Sequence, residues 1–314
     1  MMATFRKGFC KSGNQPFSRA AISRRHPAEA ANLADFAILL FAFSLLLGCY
    51  EPKEGCLDIN ATNYAVDADD ACPDCCTYPT LTISPLHQVL VKNTLDSFIN
   101  FKYNTFYPAP SSDVDTFEVL RSRFFISNFK LVNTDGEEVG VADTIGVGFI
   151  NGSRVVYEDN FAKLDRDIFS ANVIGTTVTE GTFDKVKFTL GLPEALLQLD
   201  TASIPAGHPL YYRTDTLIYE EGIGYIPFLL SFKTDTSSLV EPTAVQFFQP
   251  TDILLPLEKP LLIKRGFNIK ARLRINYMAW FEGVDFSSDP VETIRQKIAA
   301  NLPNAFSVTE ITLE

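Results

Sequence analysis

This sequence predicts an all-β protein, an immunoglobulin-like, Greek-key β-sandwich with one or two short helices, preceded by a small disulfide-stapled segment. Three observations carry that expectation. The 314 residues include 26 Phe and 11 Tyr against 3 Met, and aromatic side chains favour strands. From about residue 80 onward, short apolar runs, several with period two, alternate with turn signals and give about ten strands. Only two stretches read as helices. Many short strands with few helices must bury sheet against sheet. No repeat of fixed period is visible, which argues against a propeller.

Taken in order, Phe98–Tyr107 alternates in part and Phe117–Val132 is a longer apolar run. The stretch Asn133 to Gly136 that follows is a hairpin signal, because Asp-Gly supplies the positive φ a tight turn needs. Glu138–Ile150 leads to a second such turn at Asn151 and Gly152, and then to Arg154–Tyr157. Phe183–Leu190 alternates cleanly. Tyr211–Tyr219, Tyr225–Lys233, Ala244–Phe248, Ile253–Ile263, Phe267–Trp280 and the closing run Phe306–Leu313 complete the strands, and place Met278 and Trp280 on a strand. One helix is predicted over Pro193–Leu199. The other spans Pro290–Asn301, with Ser287, Ser288 or Asp289 as cap, Pro290 at the first helical position and an apolar stripe of Ile294, Ile298 and Leu302.

Three regions follow from the chain: 1–48, 49–79 and 80–314. In the first, an apolar run from Phe36 to Leu47 is about a dozen residues long, shorter than the roughly 20 a spanning helix needs. Arg6, Lys7, Lys11, Arg19, Arg24 and Arg25 precede it, although Glu29 and Asp35 lie close to the run. This is the pattern of a secretory signal. The ending Leu46-Leu47-Gly48-Cys49 resembles a bacterial lipobox, which implies cleavage before Cys49 and acylation of its thiol. The expected location is the cell envelope, as an outer-membrane lipoprotein facing the periplasm or the surface, held to the membrane by lipid.

Without residues 1–48 the six basic and two acidic residues of the leader drop out, leaving 21 Lys/Arg and 36 Asp/Glu, a formal charge of −15. Such a surface repels nucleic acid and suits cations and basic partners.

Cys56, Cys72, Cys75 and Cys76 are clustered, and none follows them. An even set in an exported chain reads as two disulfides. A Cys75–Cys76 bridge is disfavoured, because neighbouring residues reach disulfide geometry only by distorting the peptide. Cys56 therefore pairs with one of the later three. Gly55 to Tyr78 resembles a short module common in exported proteins of the Bacteroidetes. Zinc is a poor fit to this cysteine spacing in an oxidising compartment. Asp58, Asp67, Asp69 and Asp70 supply the hard oxygens calcium takes, with the side-chain carbonyls of Asn60 and Asn63 beside them, although the EF-hand spacing is absent. The plain alternative is a stapled acidic spacer.

Four further pieces, in order, resemble the MbnP family. They are Arg123 to Gly136 with its aromatic-Ile-Ser-Asn core, Gly181 to Leu192, the His208-Pro209-Leu210 turn, and Phe281 to Ser287 followed by the 290–301 helix and Asn301 to Phe306. The resemblance implies an exported β-sandwich associated with methanobactin gene clusters and copper. In some members His binds copper and a Trp is oxidised by a di-haem peroxidase resembling MauG. After the His-Pro-Leu turn family members usually carry Met-x-Trp and a Gly-Tyr; here that place holds Tyr211 to Tyr225, with no Trp, and the single Trp is Trp280.

The mature chain holds two histidines, His87 and His208. Copper(I) accepts His and Met donors, so His208, His87 and Met278 are the candidate ligands. There is no Gly-x-Ser-x-Gly elbow, His-Glu-x-x-His or phosphate loop, and the expectation is a non-enzymatic protein. Glu220 and Glu221 read as a solvated loop. Two functions fit: a copper-handling binding protein working with a MauG-like peroxidase, or a metal-free accessory lipoprotein of an assembly around an outer-membrane barrel. A glycan-binding or hydrolytic lipoprotein comes third.

Overall fold

The computed structural model of the chain describes residues 51–92, 96–111, 115–167, 171–211, 218–234 and 241–314. The leader and Cys49 lie outside them. The cysteine-rich segment holds β1 (Glu54–Gly55) and β2 (Asp70–Ala71). Then come β3 (Thr80–Val91), β4 (Ser97–Asn100), β5 (Phe106–Pro108), β6 (Thr116–Asn133), β7 (Glu138–Val139), β8 (Thr144–Gly148), β9 (Arg154–Glu158), β10 (Ala162–Asp165), β11 (Asn172–Thr176) and β12 (Gly181–Leu190). The C-terminal half adds β13 (Tyr219–Glu220), β14 (Gly224–Tyr225), β15 (Phe228–Lys233), β16 (Thr243–Phe247), β17 (Thr251–Ile263), β18 (Ile269–Asn276), α1 (Tyr277–Trp280), α2 (Val291–Asn301) and β19 (Phe306–Leu313).

These form the predicted sandwich. The larger sheet has the order β16-β15-β6-β12-β17, with β5, β7 and β10 also paired to the long β6. The smaller has the order β11-β3-β18-β19, with β4 on β3. Strands distant in sequence lie side by side, and β3 runs parallel to β18 from Leu81 opposite Ile269 to Gln88 opposite Asn276. The inward faces meet in one apolar core that includes Leu81 and Ile83 of β3, Phe124 and Ile126 of β6, Val186 and Phe188 of β12, and Leu273 and Ile275 of β18. Fully burying each such side chain contributes roughly 1.5–3 kcal/mol.

α2 closes one end. Its Ile294 and Ile298, with Leu302 just beyond, are all buried, as the stripe predicts. Pro290 sits one place earlier than expected, at the N-cap, and no side chain caps the helix. Asp289 instead accepts from the Asp285 N–H and pairs with Lys297 at 2.5 Å.

Several expectations are corrected. Met278 and Trp280 lie in α1, not on a strand: the Asn276 side chain accepts from the Met278 N–H and turns the chain out of β18. The run Glu138–Ile150 breaks into β7 and β8. The 193–199 helix is a 3₁₀ turn over Glu194–Gln198, with Pro193 before it. Most of the Tyr211–Tyr219 strand lies outside the described residues. β3, β10 and β11 carry no clear sequence signal, since Pro85 interrupts the first and the other two are short.

Lys53–Glu314 forms one compact unit that includes the cysteine-rich segment. Gly266, in the turn between β17 and β18, lies so near the Ala61 carbonyl that a Cβ there would come within 3.0 Å. The Thr80 N–H donates to Asn268 Oδ1 at 2.9 Å.

Candidate functional site

The run Phe124 to Ile126 is apolar without alternation because β6 is covered on both faces. Phe124 and Ile126 enter the sandwich core, while Phe125 enters a second cluster with Ile145, Val147, Phe161, Leu192, Leu196, Leu199, Leu210 and Tyr225. This second cluster is an extra layer on the outer side of the large sheet, built from β8, the 3₁₀ turns after β12 and the chain around His208. Gly224 is required there: at φ +99° a Cβ would meet the Leu197 carbonyl at 2.1 Å. The Tyr225 hydroxyl donates to the Leu210 carbonyl.

Where the layer meets the sheet, β6 bulges. Asn128 has φ +52°, a left-handed conformation uncommon outside glycine. The surroundings hold it there. Its N–H donates to Asn160 Oδ1 at 3.0 Å, and its Nδ2 donates to Thr189 Oγ1 at 3.3 Å. Thr189 in turn donates to Asp252 at 2.7 Å. The buried Ser127 hydroxyl donates to the Gly191 carbonyl at 2.9 Å.

His208 reaches this junction through Asp159, the neighbour of Asn160. Its Nε2 lies 2.8 Å from Asp159 Oδ1, and the Leu210 N–H donates to its Nδ1 at 3.1 Å. Nδ1 is therefore the acceptor nitrogen, and the ring proton sits on Nε2, donated to Asp159. The ring packs edge-on against Phe161, with 6.0 Å between centroids. Both nitrogens are committed, so His208 clasps its loop to the sheet. Three of the four family-like pieces thus meet in one place: Ser127 and Asn128 from the first, Thr189 and Gly191 from the second, His208 from the third. Sequence reasoning named His208 but not Asp159 or Asn160, which lie 49 and 48 residues away with no spacing signal.

His87 and Met278 belong elsewhere. His87 lies on β3, its Nδ1 2.8 Å from the Tyr277 hydroxyl, and its buried Nε2 has no hydrogen-bond partner. Burial lowers its pKa to about 4 against the pull of Asp165, which favours the proton. Tyr277 stacks on Phe101 at 3.8 Å and lies against Trp280 at 4.6 Å. Trp280 is fully buried, with its indole N–H also unpartnered. Beside them lies a polar knot that the sequence did not announce. Arg123 pairs through two nitrogens with the buried carboxylate of Asp165, at 2.7 and 2.5 Å. Tyr103 donates to the Ser122 carbonyl at 2.7 Å, and burial raises the pKa of both Tyr103 and Tyr277. Met278 lines a shallow surface cleft with Leu90, Lys92, Pro108 and Ala109. His208 shares no hydrogen-bond partner with His87 or Met278. Among the described residues no three His, Cys, Asp or Glu side chains come together as a metal site. Of the copper candidates, His208 has both ring nitrogens engaged, while His87 packs against Tyr277 of the α1 turn that carries Met278.

The calcium candidates engage partners within their own segment. Asp58 accepts from the Asn60 N–H at 2.9 Å and the Tyr78 hydroxyl at 2.9 Å, which together lower its pKa. Asp67 pairs with the Lys53 ammonium at 2.7 Å, and Asp69 accepts from the Lys53 N–H. Asp70 contributes its backbone to β2. Asn63 accepts from the Thr77 N–H and donates to the Cys75 carbonyl. These polar residues hold the segment itself. Its disulfides are Cys56–Cys76 and Cys72–Cys75, so Cys56 does pair with a later cysteine.

The fold and its outer layer define a two-sheet β-sandwich stapled at its N-terminal side, with one histidine clasp and a buried Arg–Asp pair. The family model of MbnP matches residues 87–296, and the chain belongs to the MbnP family. The solved structure of MbnP from Methylosinus trichosporium is similar at 12% identity, covering 74% of this chain and 97% of that one, with a TM-score of 0.38. No curated protein matches the sequence.

Proposed function

We propose that this MbnP-family chain is a lipid-anchored envelope protein that works by binding other proteins, as an accessory of an outer-membrane assembly, and that His208 serves its fold rather than a metal. The lipobox-like Leu46-Leu47-Gly48-Cys49 supports the anchor. The sparse histidines of the mature chain and the missing Trp after the His-Pro-Leu turn favour the accessory role, and the double commitment of His208 argues against a metal there. A copper ligand needs a free nitrogen lone pair, and Nδ1 gives its own to the Leu210 N–H. The same commitment argues against a catalytic Asp–His pair, since no ring nitrogen is left to take a proton from a nucleophile.

A second reading, copper(I) handling, rests on His87, whose Nε2 is buried without a partner. One experiment separates the two. The mature protein is loaded with copper(I), dialysed and assayed for metal. The proposal expects His208→Ala to lower the thermal midpoint and leave copper content unchanged from wild type. One copper per chain that disappears in His208→Ala contradicts it. Copper that disappears only in His87→Ala supports the second reading.

A further inference from the structure

The β8–β9 hairpin stands out from the rest of the surface. β9 pairs with β8 from Arg154 opposite Gly148 to Glu158 opposite Thr144. Among the described residues no strand pairs with its other edge. Yet β9 is apolar where an exposed edge is normally charged or interrupted. Val156 is 67% exposed and Val155 43%, and Ile150 at the hairpin tip is 66% exposed. Val155 and Tyr157 point to one face, where they line an open cleft with Phe149, Ile150, Ala195 and Gln198. Arg154, Val156 and Glu158 alternate onto the other face.

We propose that β9 pairs with β9 of a second copy of this chain, antiparallel about a two-fold axis at Val156. The argument is the charge order of the strand. Arg154, Val155, Val156, Tyr157 and Glu158 read against themselves in reverse place Arg154 opposite Glu158 of the second copy, and Glu158 opposite its Arg154. Arg154 makes no ion pair among the described residues, and the carboxylate of Glu158 accepts only a hydrogen bond from Asn160 at 3.1 Å. On the same face Val156 meets Val156. On the cleft face Val155 lies opposite Tyr157 twice, an aromatic and β-branched pairing that stabilises adjacent strands. Every position is self-complementary, which a two-fold interface requires. A parallel pairing would set Arg154 against Arg154 and is disfavoured. The pairing covers the unused backbone groups and the exposed valines together. Five residues bury little area, so the association is weak in dilute solution. Anchoring both copies to one membrane raises their effective concentration. The inference stands apart from the role assigned to His208 and rests on the proposed lipid anchor, so recovery of the chain in the membrane fraction is checked first.

Val156→Cys in the full chain tests it in isolated membranes. Opposed residues of antiparallel strands have Cα atoms about 4.5–5.5 Å apart, within reach of a disulfide. The expected result is a reducible dimer under mild oxidation. Val173→Cys, on the exposed edge of β11, serves as the control for random collision and is expected to stay monomeric. In the Val156→Cys background, Arg154→Glu or Glu158→Lys alone is expected to abolish the dimer, and the double reversal to restore it. Equal coupling of both cysteine variants, no dimer at Val156→Cys, or failure of the double reversal to restore coupling overturns the proposal. A thermal melt of each variant confirms that the fold is retained.

Discussion

His87 shows how far a single residue can couple fold to pH. Its folded-state pKa of about 4 lies below the 6.5 of an exposed histidine. The unfolded chain therefore takes up a proton first as pH falls, and stability is lost between about 6.5 and 4. Linkage puts the loss at roughly 2 kcal/mol between pH 7.5 and 5. Denaturation of wild type and His87→Gln at both pH values checks this. The carboxylates titrate in both proteins, so only the histidine contribution drops out of the difference. A slope unchanged in His87→Gln contradicts the account. Asp165 makes a contrasting case: its buried charge is matched by Arg123, and removing that partner from such a pair costs about 3–5 kcal/mol. Neither role was legible in the sequence, because His87 meets Tyr277 and Arg123 meets Asp165 across strands whose pairing no local pattern reveals.

At the scale of elements, what could be read was what depends on local pattern. β6, β12, β17 and β19 announce themselves by apolar runs and the turns beside them, and α2 by its stripe. β3 did not, because Pro85 breaks the pattern and only the parallel pairing with β18 makes the strand. Trp280 was misplaced because β18 and α1 are continuous in hydrophobicity, and the switch is made by one side chain, Asn276. The Ser127-Asn128 pair was visible as a motif, but its meaning, a bulge locked by Asn160, needs the fold. The two disulfides also separate at this scale. Cys56–Cys76 closes a separation of 20 residues around the 1%-exposed Cys56, whereas Cys72–Cys75 closes 3. Chain entropy assigns roughly 3 kcal/mol to the longer loop and about 2 to the shorter. Limited proteolysis should therefore find the 53–79 segment more readily cut in Cys56→Ser/Cys76→Ser than in Cys72→Ser/Cys75→Ser. The reverse order would mean that the short bridge holds the module.

For the molecule as a whole, the sandwich is ordinary in its core and distinctive in its coverings. A second apolar layer lies on the outer face of the large sheet, a stapled segment packs at the β17–β18 turn, and the β8–β9 hairpin carries exposed valines. Three of the four family-like motifs converge on the junction between sheet and outer layer, where they hold a bulge and clasp a loop. Structural demand is high there: Asn128 is left-handed, the buried Ser127 donates to the Gly191 carbonyl, and Gly224 of the outer layer tolerates no Cβ. The central claim is that His208 belongs to this clasp. It is tested most directly by ¹⁵N spectra of the histidine rings in the mature protein, recorded before and after one equivalent of copper(I). The account predicts His208 in the Nε2–H form, with Nδ1 as acceptor, in both spectra. Loss of the Nε2 proton or a large shift of either His208 nitrogen on adding copper would contradict it.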